Sequence, residues 1–373
     1  MEPKCKYFRR CGGCSSQHIE YATQVENKRR LLQSCMDHEV AVFFGEPYWY
    51  RTRMDMIFHP KGLGFRKKGQ WFTTVDIEEC PISNERLNAL MKEIREFFPN
   101  PDAFDVKKHS GTFRYAVMRT PQKDSSISFV LNGDSSRINA AVAQIKKFAK
   151  KTAAENVIVT YCPYNRDVSV SDDYFVVKGS DFLKEEYLGK KFVYSVQGFF
   201  QNNHQMAERM IAYVHGLLKK YETKDANLLD LYGGVGPFGI ICADLFGSVK
   251  IVESVESCID AAKKNIVENR VENAEALVMD AKNLRKVKLD APLFIITDPP
   301  RTGMHQKTIA RLNELKPEVM IYVSCNINQL RRELPRFVDY EIKSAVVFDL
   351  FPQTPHSEAV VELVRKKEKQ VIS

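Results

Sequence analysis

A cysteine at the end of a predicted buried strand is the first residue that could do covalent chemistry. Residues 321–324 read Ile-Tyr-Val-Ser, which predicts a short apolar strand, and Cys325 and Asn326 follow directly. In an open α/β sheet, ligands bind in the crevice beyond the carboxyl ends of the strands. Although most free cysteines are simply small buried side chains, this position makes Cys325 a candidate nucleophile.

A carboxylate precedes a second apolar stretch near the end of the sequence. Glu358 follows His356 and Ser357 and stands directly before Ala-Val-Val. A glutamate alone is by default a surface or capping acid. Beside a strand-end thiol, Glu358 becomes a candidate proton acceptor.

Four further cysteines in the first 80 residues could bind a metal centre. Cys11 and Cys14 are separated by two glycines that let both sulfurs face one point, and Cys5 and Cys80 supply two more thiols. Four sulfurs suit either a tetrahedral zinc ion or an iron-sulfur cluster. Because a zinc ribbon would have two Cys-x-x-Cys pairs and this chain has one, the pattern favours the cluster; unrelated thiols are the remaining alternative.

A glycine-rich turn predicts a nucleotide-like ligand in the second half. The predicted strand 227–232 leads into Gly234-x-Gly236-x-x-Gly239, and the next predicted strand ends at Glu253. Glycines at a strand-to-helix turn let a ligand approach the backbone, and an acid at the next strand end can accept hydrogen bonds from ribose hydroxyls. The glycine spacing alone also matches a nicotinamide-dinucleotide site.

Two sequence features favour S-adenosylmethionine over nicotinamide as the ligand, one at this turn and one after a later strand. Pro237 stands at the helix entry and removes a backbone donor that a pyrophosphate could use. The predicted strand 294–297 ends in Asp298 followed by two prolines, a turn that methyltransferases commonly use to hold a nucleobase. As a fragment this turn could also be an ordinary tight turn.

Composition and charge limit the class of protein. The chain has 373 residues, 44% of them hydrophobic, and a net charge of +8 that falls mostly in its first half. Basic clusters at 51–53, 66–68 and 107–109 would suit a phosphate-rich partner, although such runs are often only solvated surface. No apolar run of about 18 residues or secretory leader is present, which predicts a cytoplasmic protein. The nine cysteines therefore indicate thiol chemistry or metal binding rather than disulfides.

The elements that position these residues predict an α/β protein. An amphipathic helix is expected within 17–36, a hairpin over 48–58 and 62–75, and a helix over 203–220 capped by Asn202 or Asn203. We expect an iron-sulfur segment over 1–90 that merges into a mixed, largely antiparallel α+β RNA-binding domain over 40–195. Alternating strands and helices over 196–373 predict a Rossmann-like methyltransferase domain.

Taken together, these motifs resemble the RNA 5-methyluridine methyltransferase family over nearly the whole chain and in the same order. The resemblance rests on the four cysteines and on the following segments: 199–202 (Phe-Phe-Gln-Asn), 230–236 (Asp-Leu-Tyr-Gly-Gly-Val-Gly), 298–303 (Asp-Pro-Pro-Arg-Thr-Gly), 324–326 (Ser-Cys-Asn) and 356–358 (His-Ser-Glu). Gly233 departs from the family pattern, which usually has Cys or Ser there, and we expect looser packing near the cofactor.

The resemblance implies a mechanism and a set of site residues. Cys325 would add to carbon 6 of a uracil, and Glu358 would remove the proton from carbon 5 after methylation. The resemblance assigns S-adenosylmethionine binding to Gln201, Tyr232, Glu253 and Asp298, with Asp298 also holding a base edge. It makes the site of Cys5, Cys11, Cys14 and Cys80 a [4Fe-4S] cluster, with a structural or RNA-positioning role.

The expected partner is RNA, with no DNA and no membrane, and the chain is expected to be a monomer. Some family members carry an amino-terminal TRAM barrel; cysteines that begin at residue 5 predict the shorter layout, which is similar to bacterial members that modify 23S ribosomal RNA. Transfer RNA modified in the T loop is the alternative. A nicotinamide oxidoreductase, a DNA cytosine methyltransferase, which would need a Pro-Cys nucleophile, and a non-catalytic RNA-binding protein are the rival interpretations.

Overall fold

The computed structural model describes residues 2–366, which form two large sheets and a separate hairpin. Among these residues, no helix is both long enough and apolar enough to cross a membrane.

The first large sheet has seven strands and is antiparallel except for one neighbouring pair, β6 and β7. Its order is β4-β3-β2-β5-β6-β7-β8, so β4 and β8 are its edges. Helices α2 and α3 pack against it around an aromatic core. The bounds are β2 Arg53–His59, β3 Gly62–Lys67, β4 Gln70–Asp76, α2 Glu85–Phe97, β5 Phe113–Arg119, β6 Ser126–Asn132, α3 Ile138–Ala149, β7 Asn156–Cys162 and β8 Tyr174–Lys178.

A two-stranded antiparallel hairpin and a helix connect the two sheets. They are β9 Phe182–Tyr187, β10 Lys190–Ser195 and α4 His204–Leu218. Asn203 caps α4, because its side-chain oxygen accepts a hydrogen bond from the Met206 N–H at 3.3 Å. Of the two candidate caps, Asn203 is therefore the one used.

The second large sheet has eight strands in the order β1-β16-β17-β15-β14-β11-β12-β13. β17 runs antiparallel to both of its neighbours, whereas the strands from β15 to β13 are parallel. The bounds are α1 Tyr21–Gln33, β1 Ala41–Phe43, β11 Asn227–Leu231, α5 Pro237–Cys242, β12 Ser248–Glu253, α6 Glu256–Glu268, β13 Ala274–Val278, β14 Leu293–Thr297, α7 Gln306–Leu315, β15 Val319–Ser324, α8 Ile327–Glu333, β16 Tyr340–Phe348 and β17 Glu358–Arg365.

Parallel strands in this sheet are covered on both faces. Every residue of β14 and β15 is buried, and apolar cores lie on the two sides of the sheet. Strands that are buried on both faces have continuous rather than alternating apolar sequence. This explains why residues 293–297 and 319–323 are almost entirely aliphatic or aromatic.

Two features differ from the sequence-based expectations. The segment 62–75 forms two strands, β3 and β4, because Gly69 adopts a positive φ of 74° and turns the chain. β1 pairs with β16 and α1 contacts the same strand, so residues 21–43 pack on the second sheet rather than on the first.

Candidate active site

The carboxyl end of β15 carries the candidate nucleophile. Cys325 follows the last strand residue and is half-buried. Asn326 caps helix α8 by accepting a hydrogen bond from the Gln329 N–H at 3.3 Å. The Asn326 side chain also donates to the Arg301 carbonyl oxygen at 2.9 Å, so the turn that carries Cys325 is joined to the loop after β14.

Glu358 is the first residue of β17, the strand next to β15, and it lies at the same end of these strands as Cys325. Ser324 pairs with Ala359 in the antiparallel register of β15 and β17, so Cys325 and Glu358 occupy the next opposed positions. The Glu358 side chain is buried, with 3% of its surface exposed. The structure therefore brings together the two residues that the sequence separates by 33 positions.

Burial and neighbouring charges raise the pKa values of both groups. The pKa of Cys325 rises to about 11, first because of burial and then because Glu358 and Asp298 are close. Burial and Asp298 also raise the pKa of Glu358 well above its ordinary range. Arg301 opposes both shifts, since its positive charge favours the ionised forms. A thiol, two carboxyl groups and one guanidinium thus form one electrostatic unit.

The turn between β11 and α5 leaves room for a ligand at its glycines. Gly234 and Gly236 have positive φ values of 55° and 89°, and nothing lies within 4 Å of the position where a Gly234 side chain would begin. Beneath the turn, Asp230 accepts a hydrogen bond from the Gly239 N–H at 2.8 Å. Burial raises the Asp230 pKa to about 7. Asp230, to which the sequence gave no separate role, therefore fixes the turn from below.

Gly233 is tightly packed, contrary to the looser packing expected from its departure from the family pattern. A Cβ at this position would lie 2.6 Å from Cγ2 of Ile251 and 3.0 Å from the Asp230 carboxyl group. The side chain of Ile251 fills the space that a cysteine or serine would need. The glycine and this isoleucine therefore compensate for each other.

Three predicted cofactor residues lie at the ends of adjacent parallel strands. Tyr232 follows β11 with a positive φ of 64°, and burial raises its pKa to about 12. Oε1 of Glu253, at the end of β12, accepts hydrogen bonds from the N–H groups of Ser254 at 2.6 Å and of Val255 at 3.0 Å. Asp298 follows β14, and burial together with nearby Asp230 raises its pKa.

Gln201 lies outside this row of strand ends. It is half-buried in the segment between β10 and α4, two residues before the helix cap Asn203. The Asn203 side chain donates to the Leu350 carbonyl oxygen at 3.2 Å, which joins this segment to the loop that leads to Glu358. The geometry thus connects the Gln201 segment to the site, although within residues 2–366 no hydrogen bond joins the Gln201 side chain to the other predicted residues.

The four amino-terminal cysteines line one cavity of about 470 Å³. Burial raises the pKa of Cys5, and it raises those of Cys11 and Cys14 to about 11 and about 12. A negative charge on Cys80 would raise all three further, so the four thiols are close enough to interact. Arg51, Arg53, Phe199 and Asn202 line other parts of the same cavity, which we call the cysteine cavity.

The cysteine cavity does not have the spacing of a single-ion site. Between residues 2 and 366, no group of three or more His, Cys, Asp or Glu side chains could hold a metal ion as arranged here. The zinc alternative therefore has no support from this arrangement. The same arrangement does not by itself support the expected iron-sulfur cluster; what it shows is four thiols that line one cavity.

Residues 349–357 lead into Glu358, the candidate proton-accepting base, and we call them the base loop. A buried polar network that the sequence did not suggest holds this loop in place. Gln24 on α1 exchanges two hydrogen bonds with Gln353: its Nε2 donates to Oε1 of Gln353 at 3.0 Å, and its Oε1 accepts from the Gln353 N–H at 3.2 Å. Lys28 forms a buried ion pair with Asp349 at 2.6 Å. Both pairs span more than 320 residues, so no local pattern could reveal them.

The segment that follows Cys14 also holds the base loop. The N–H groups of Ser15 and Ser16 both donate to the Gln353 carbonyl oxygen at 3.1 Å. Tyr50 donates from its hydroxyl to the Pro352 carbonyl oxygen at 2.9 Å. The cysteine-bearing segment and the loop before Glu358 are therefore in direct contact.

The fold and the site define a methyltransferase with a strand-end thiol and a facing carboxylate. A family model described as tRNA (uracil-5-)-methyltransferase matches residues 20–366. A tRNA (uracil(54)-C(5))-methyltransferase of Pyrococcus abyssi is 32% identical over 371 residues, which cover 97% of this chain and 86% of that protein. An uncharacterized RNA methyltransferase of Caldanaerobacter subterraneus is 31% identical over 381 residues, covering 96% and 84%.

A solved structure is similar over the same length. The crystal structure of the Pyrococcus abyssi tRNA (uracil-54, C5)-methyltransferase in complex with S-adenosyl-L-homocysteine superposes with a TM-score of 0.80 at 30% identity, covering 95% of this chain and 86% of that one. The chain belongs to the tRNA (uracil-5-)-methyltransferase family. It is an S-adenosylmethionine-dependent RNA (uracil-C5) methyltransferase, which decides against the nicotinamide alternative.

Proposed function

We propose that this enzyme methylates carbon 5 of uridine 54 in transfer RNA. The observation that carries the proposal is that three relatives from Pyrococcus, each 30 to 32% identical across 97% of this chain, are described as tRNA (uracil(54)-C(5))-methyltransferases. The shorter sequence layout favoured 23S ribosomal RNA, but layout is weaker support than similarity along the whole chain. The relatives therefore shift the preference to transfer RNA.

Cys325 is the proposed nucleophile. Carbon 5 of uracil is a poor nucleophile until a group adds at carbon 6, so the Cys325 thiolate forms a bond to carbon 6 and the displaced electron pair gives an enolate. The high pKa of Cys325 means that little thiolate exists at neutral pH in the free protein. Arg301 supports its formation, because a neighbouring positive charge favours the anion.

Glu358 is the proposed base. Once carbon 5 is methylated, its remaining proton passes to the Glu358 carboxylate, the carbon 5–carbon 6 double bond returns, and the sulfur leaves with its bonding electron pair. Burial holds the Glu358 pKa high, which makes the carboxylate a stronger base than an exposed one. Position also supports the role, since Glu358 is opposed to Cys325 at the strand ends.

S-adenosylmethionine, when bound, supplies an electrophilic methyl group. Its proposed binding residues are Gln201, Tyr232, Glu253 and Asp298. The strand-end positions of the last three and the open space at Gly234 support this assignment. For Glu253, the backbone hydrogen bonds to Oε1 hold the carboxylate, and Oε2 makes no hydrogen bond within residues 2–366, so it is free to accept one from a ribose hydroxyl.

We further propose that Cys5, Cys11, Cys14 and Cys80 hold a [4Fe-4S] cluster with a structural role. Their shared cavity supports this, as does the contact between Ser15, Ser16 and the base loop. Methyl transfer of this kind needs no electron carrier. The cluster would fix the cysteine-bearing segment, and that segment would in turn fix the base loop.

The substrate is tested with three RNAs and mass-spectrometric mapping of 5-methyluridine. A transfer RNA transcript should gain one methyl group at position 54, and the same transcript with cytidine at position 54 should gain none. Methylation of a 23S ribosomal RNA fragment, with the transfer RNA unmodified, would overturn the proposal and restore the ribosomal alternative.

The reacting residues are tested with a trapping variant. Glu358→Gln should accumulate a protein–RNA complex that survives denaturing electrophoresis, because the carbon 5 proton is not removed and the sulfur cannot leave. Glu358→Gln/Cys325→Ala is the matched control and should give no such complex. A complex of equal yield in the double variant would show that Cys325 is not the nucleophile.

A further inference from the structure

Two aromatic side chains on an edge strand are left open to solvent. Trp71 and Phe72 on β4 are 63% and 43% exposed, and their rings meet edge-to-face with centroids 5.9 Å apart. β4 has no neighbour on its outer side within residues 2–366. Exposed edge strands usually carry charges rather than large apolar groups, and exposed apolar groups that persist often mark a binding surface.

Four cationic residues lie on or beside the β3–β4 hairpin, and one of them contacts a ring. Lys107 places its Nζ 3.8 Å from the centroid of Phe72, and Lys67 and Lys68 lie at the turn into β4. Arg10 adjoins them, since its carbonyl oxygen accepts a hydrogen bond from the Lys68 N–H at 2.9 Å. All four side chains are exposed, and none forms an ion pair with a carboxylate in the described part of the chain.

Asp105 is an acidic residue at the margin of this surface, and Asp167 pairs with Arg66, the neighbour of Lys67. The carboxylate of Asp105 accepts hydrogen bonds from the backbone N–H groups of Lys107 at 2.8 Å and of Lys108 at 3.1 Å. It is therefore engaged with the backbone and leaves the charge of the Lys107 side chain available at Phe72.

The same hairpin is joined to the loop that bears the cysteines. The Gly12 N–H donates to the Arg66 carbonyl oxygen at 3.0 Å, and the backbone of Cys11 pairs with that of Lys67 in an isolated antiparallel β-bridge. Cys11 also lines the cysteine cavity. Phe199 and Asn202, which flank Gln201 in the sequence, line the same cavity. The hairpin thus connects, through the cysteine loop, to the segment that enters the active site.

From these contacts we propose that the surface of Arg10, Lys67, Lys68, Trp71, Phe72 and Lys107, the hairpin patch, binds the RNA substrate outside the active site, with an unpaired base stacked on Trp71. An aromatic face accepts any base, and the surrounding cations neutralise backbone phosphates. This proposal rests on the proposed function only in that the partner is RNA. The patch would hold the RNA while the target uridine turns out of its stack, which costs a few kcal/mol.

The number of tryptophans allows a direct test. The chain has two, so Trp49→Phe leaves Trp71 as the only tryptophan fluorophore. Adding a transfer RNA transcript to this variant should quench its tryptophan emission, since stacking of a base on the indole quenches fluorescence. A blunt RNA duplex, which offers no unpaired base, should quench much less at equal occupancy.

Affinity measurements test the energetic contribution of the patch. By fluorescence anisotropy with labelled transfer RNA, Trp71→Ala should weaken binding roughly ten-fold, and Trp71→Phe should restore much of it. Lys107→Ala should lower the slope of log affinity against log salt by about 0.7 to 0.9. Val267→Ala and Lys263→Ala, exposed positions on α6 of the other sheet, are the matched controls and should change neither quantity.

Three outcomes would overturn the proposal: unchanged Trp71 emission on RNA binding, Trp71→Ala with unaltered RNA affinity, or a Trp71→Ala effect on self-association in ultracentrifugation with none on RNA binding. The last would make β4 an edge for pairing with a second copy. Because binding is read without methyl transfer, loss of the patch effect and absence of methylation at uridine 54 are separate results.

Discussion

The charge of Arg301 acts on three titrating groups of the candidate site, which are Cys325, Glu358 and His356. It partly offsets the rise in the pKa values of Cys325 and Glu358, and the pKa of His356 is lowered first by burial and then by the charges of Arg301 and Lys28. The Arg301 carbonyl oxygen accepts a hydrogen bond from Asn326, next to the nucleophile. The sequence suggested that Arg301 orients a carboxylate or a phosphate but did not connect it to Cys325, because it lies 24 residues earlier and approaches Cys325 only in the folded sheet.

We predict that Arg301 controls the reactivity of the Cys325 thiol. Below a pKa of about 11, the thiolate fraction and the alkylation rate by iodoacetamide should rise about ten-fold for each pH unit. Arg301→Ala should raise the pKa further and slow alkylation at pH 8, whereas Arg301→Lys should keep most of the rate. Alkylation is followed at the Cys325 peptide by mass spectrometry, since the chain has other cysteines. Equal rates in the Ala and Lys variants would contradict an electrostatic role.

Gly233 gives a second prediction at the scale of single residues. Gly233→Ser should lower the free energy of unfolding by about 1 to 3 kcal/mol, because its Cβ would overlap with Ile251 Cγ2 in a packed core. Ile251→Val keeps Cγ2, so it should not rescue the serine variant, whereas Ile251→Ala removes the overlapping atom and should. Urea denaturation of the single and double variants measures both effects. Equal stability of Gly233→Ser and the parent protein would mean that Ile251 moves freely.

At the scale of elements, helix α1 and the base loop form one buried unit. Gln353 has a positive φ of 67°, a conformation that side-chain-bearing residues rarely adopt, and the Gln24 pair and the Ser15 and Ser16 N–H groups hold it there. Gln24 and Gln353 are 4% and 2% exposed, so their amides have no water to replace a lost partner. Glu358 follows five residues later, which gives the pair a positioning role.

We predict that Gln24→Ala impairs the proton-removal step more than substrate binding. It leaves buried amide groups of Gln353 without partners, at about 1 to 3 kcal/mol, and frees the base loop. The rate constant kcat should fall, KM for RNA should change little, and amide hydrogen exchange should accelerate over the base loop. Gln24→Glu, which keeps the acceptor but loses the donor, should be intermediate. Arg30→Ala, exposed on the same helix, is the control, and an equal loss of kcat there would contradict the role.

At the scale of the whole molecule, a buried ion pair joins helix α1 to the loop that connects β16 and β17 of the second sheet. Lys28 and Asp349 lie 2.6 Å apart with 4% and 0% of their side chains exposed, and the Tyr21 hydroxyl also donates to Asp349 at 2.9 Å. β1 extends the same sheet by pairing with β16. The amino-terminal segment, which precedes the first sheet in the sequence, therefore supplies an edge strand and a helix to the second sheet.

We predict that Lys28→Met lowers the free energy of unfolding by about 3 to 5 kcal/mol, because it leaves the Asp349 carboxylate buried without its counter-charge. Lys28→Met/Asp349→Asn should recover part of this loss, since neither charge then remains. Arg30→Ala, which breaks an exposed pair with Glu26, should cost no more than about 1 kcal/mol. Chemical denaturation measures all three. A single variant as stable as the double variant would show that Asp349 is solvated or protonated after Lys28 is lost.

The sequence by itself determined the features that depend on local pattern. The continuous apolar stretches predicted the buried parallel strands, and the Asn202-Asn203 pair marked the start of α4, although the structure was needed to identify Asn203 as the cap. The glycine turn, the Asp298 turn and the placement of Cys325 and Glu358 at strand ends were also readable, because each depends on residues close in the chain. Their order along the chain was sufficient for the family, which the comparisons confirmed.

The tertiary structure decided what depends on residues that are distant in the chain. The antiparallel pairing of β15 and β17 places Glu358 opposite Cys325, and the fold places the charge of Arg301 near both. The pairing of β1 with β16 places residues 21–43 on the second sheet. The Gln24–Gln353 and Lys28–Asp349 pairs and the fit of Ile251 over Gly233 have no signature in sequence. Side-chain packing and buried polar pairing are set by three-dimensional proximity, whereas hydrophobic pattern and turn chemistry are set by neighbours along the chain.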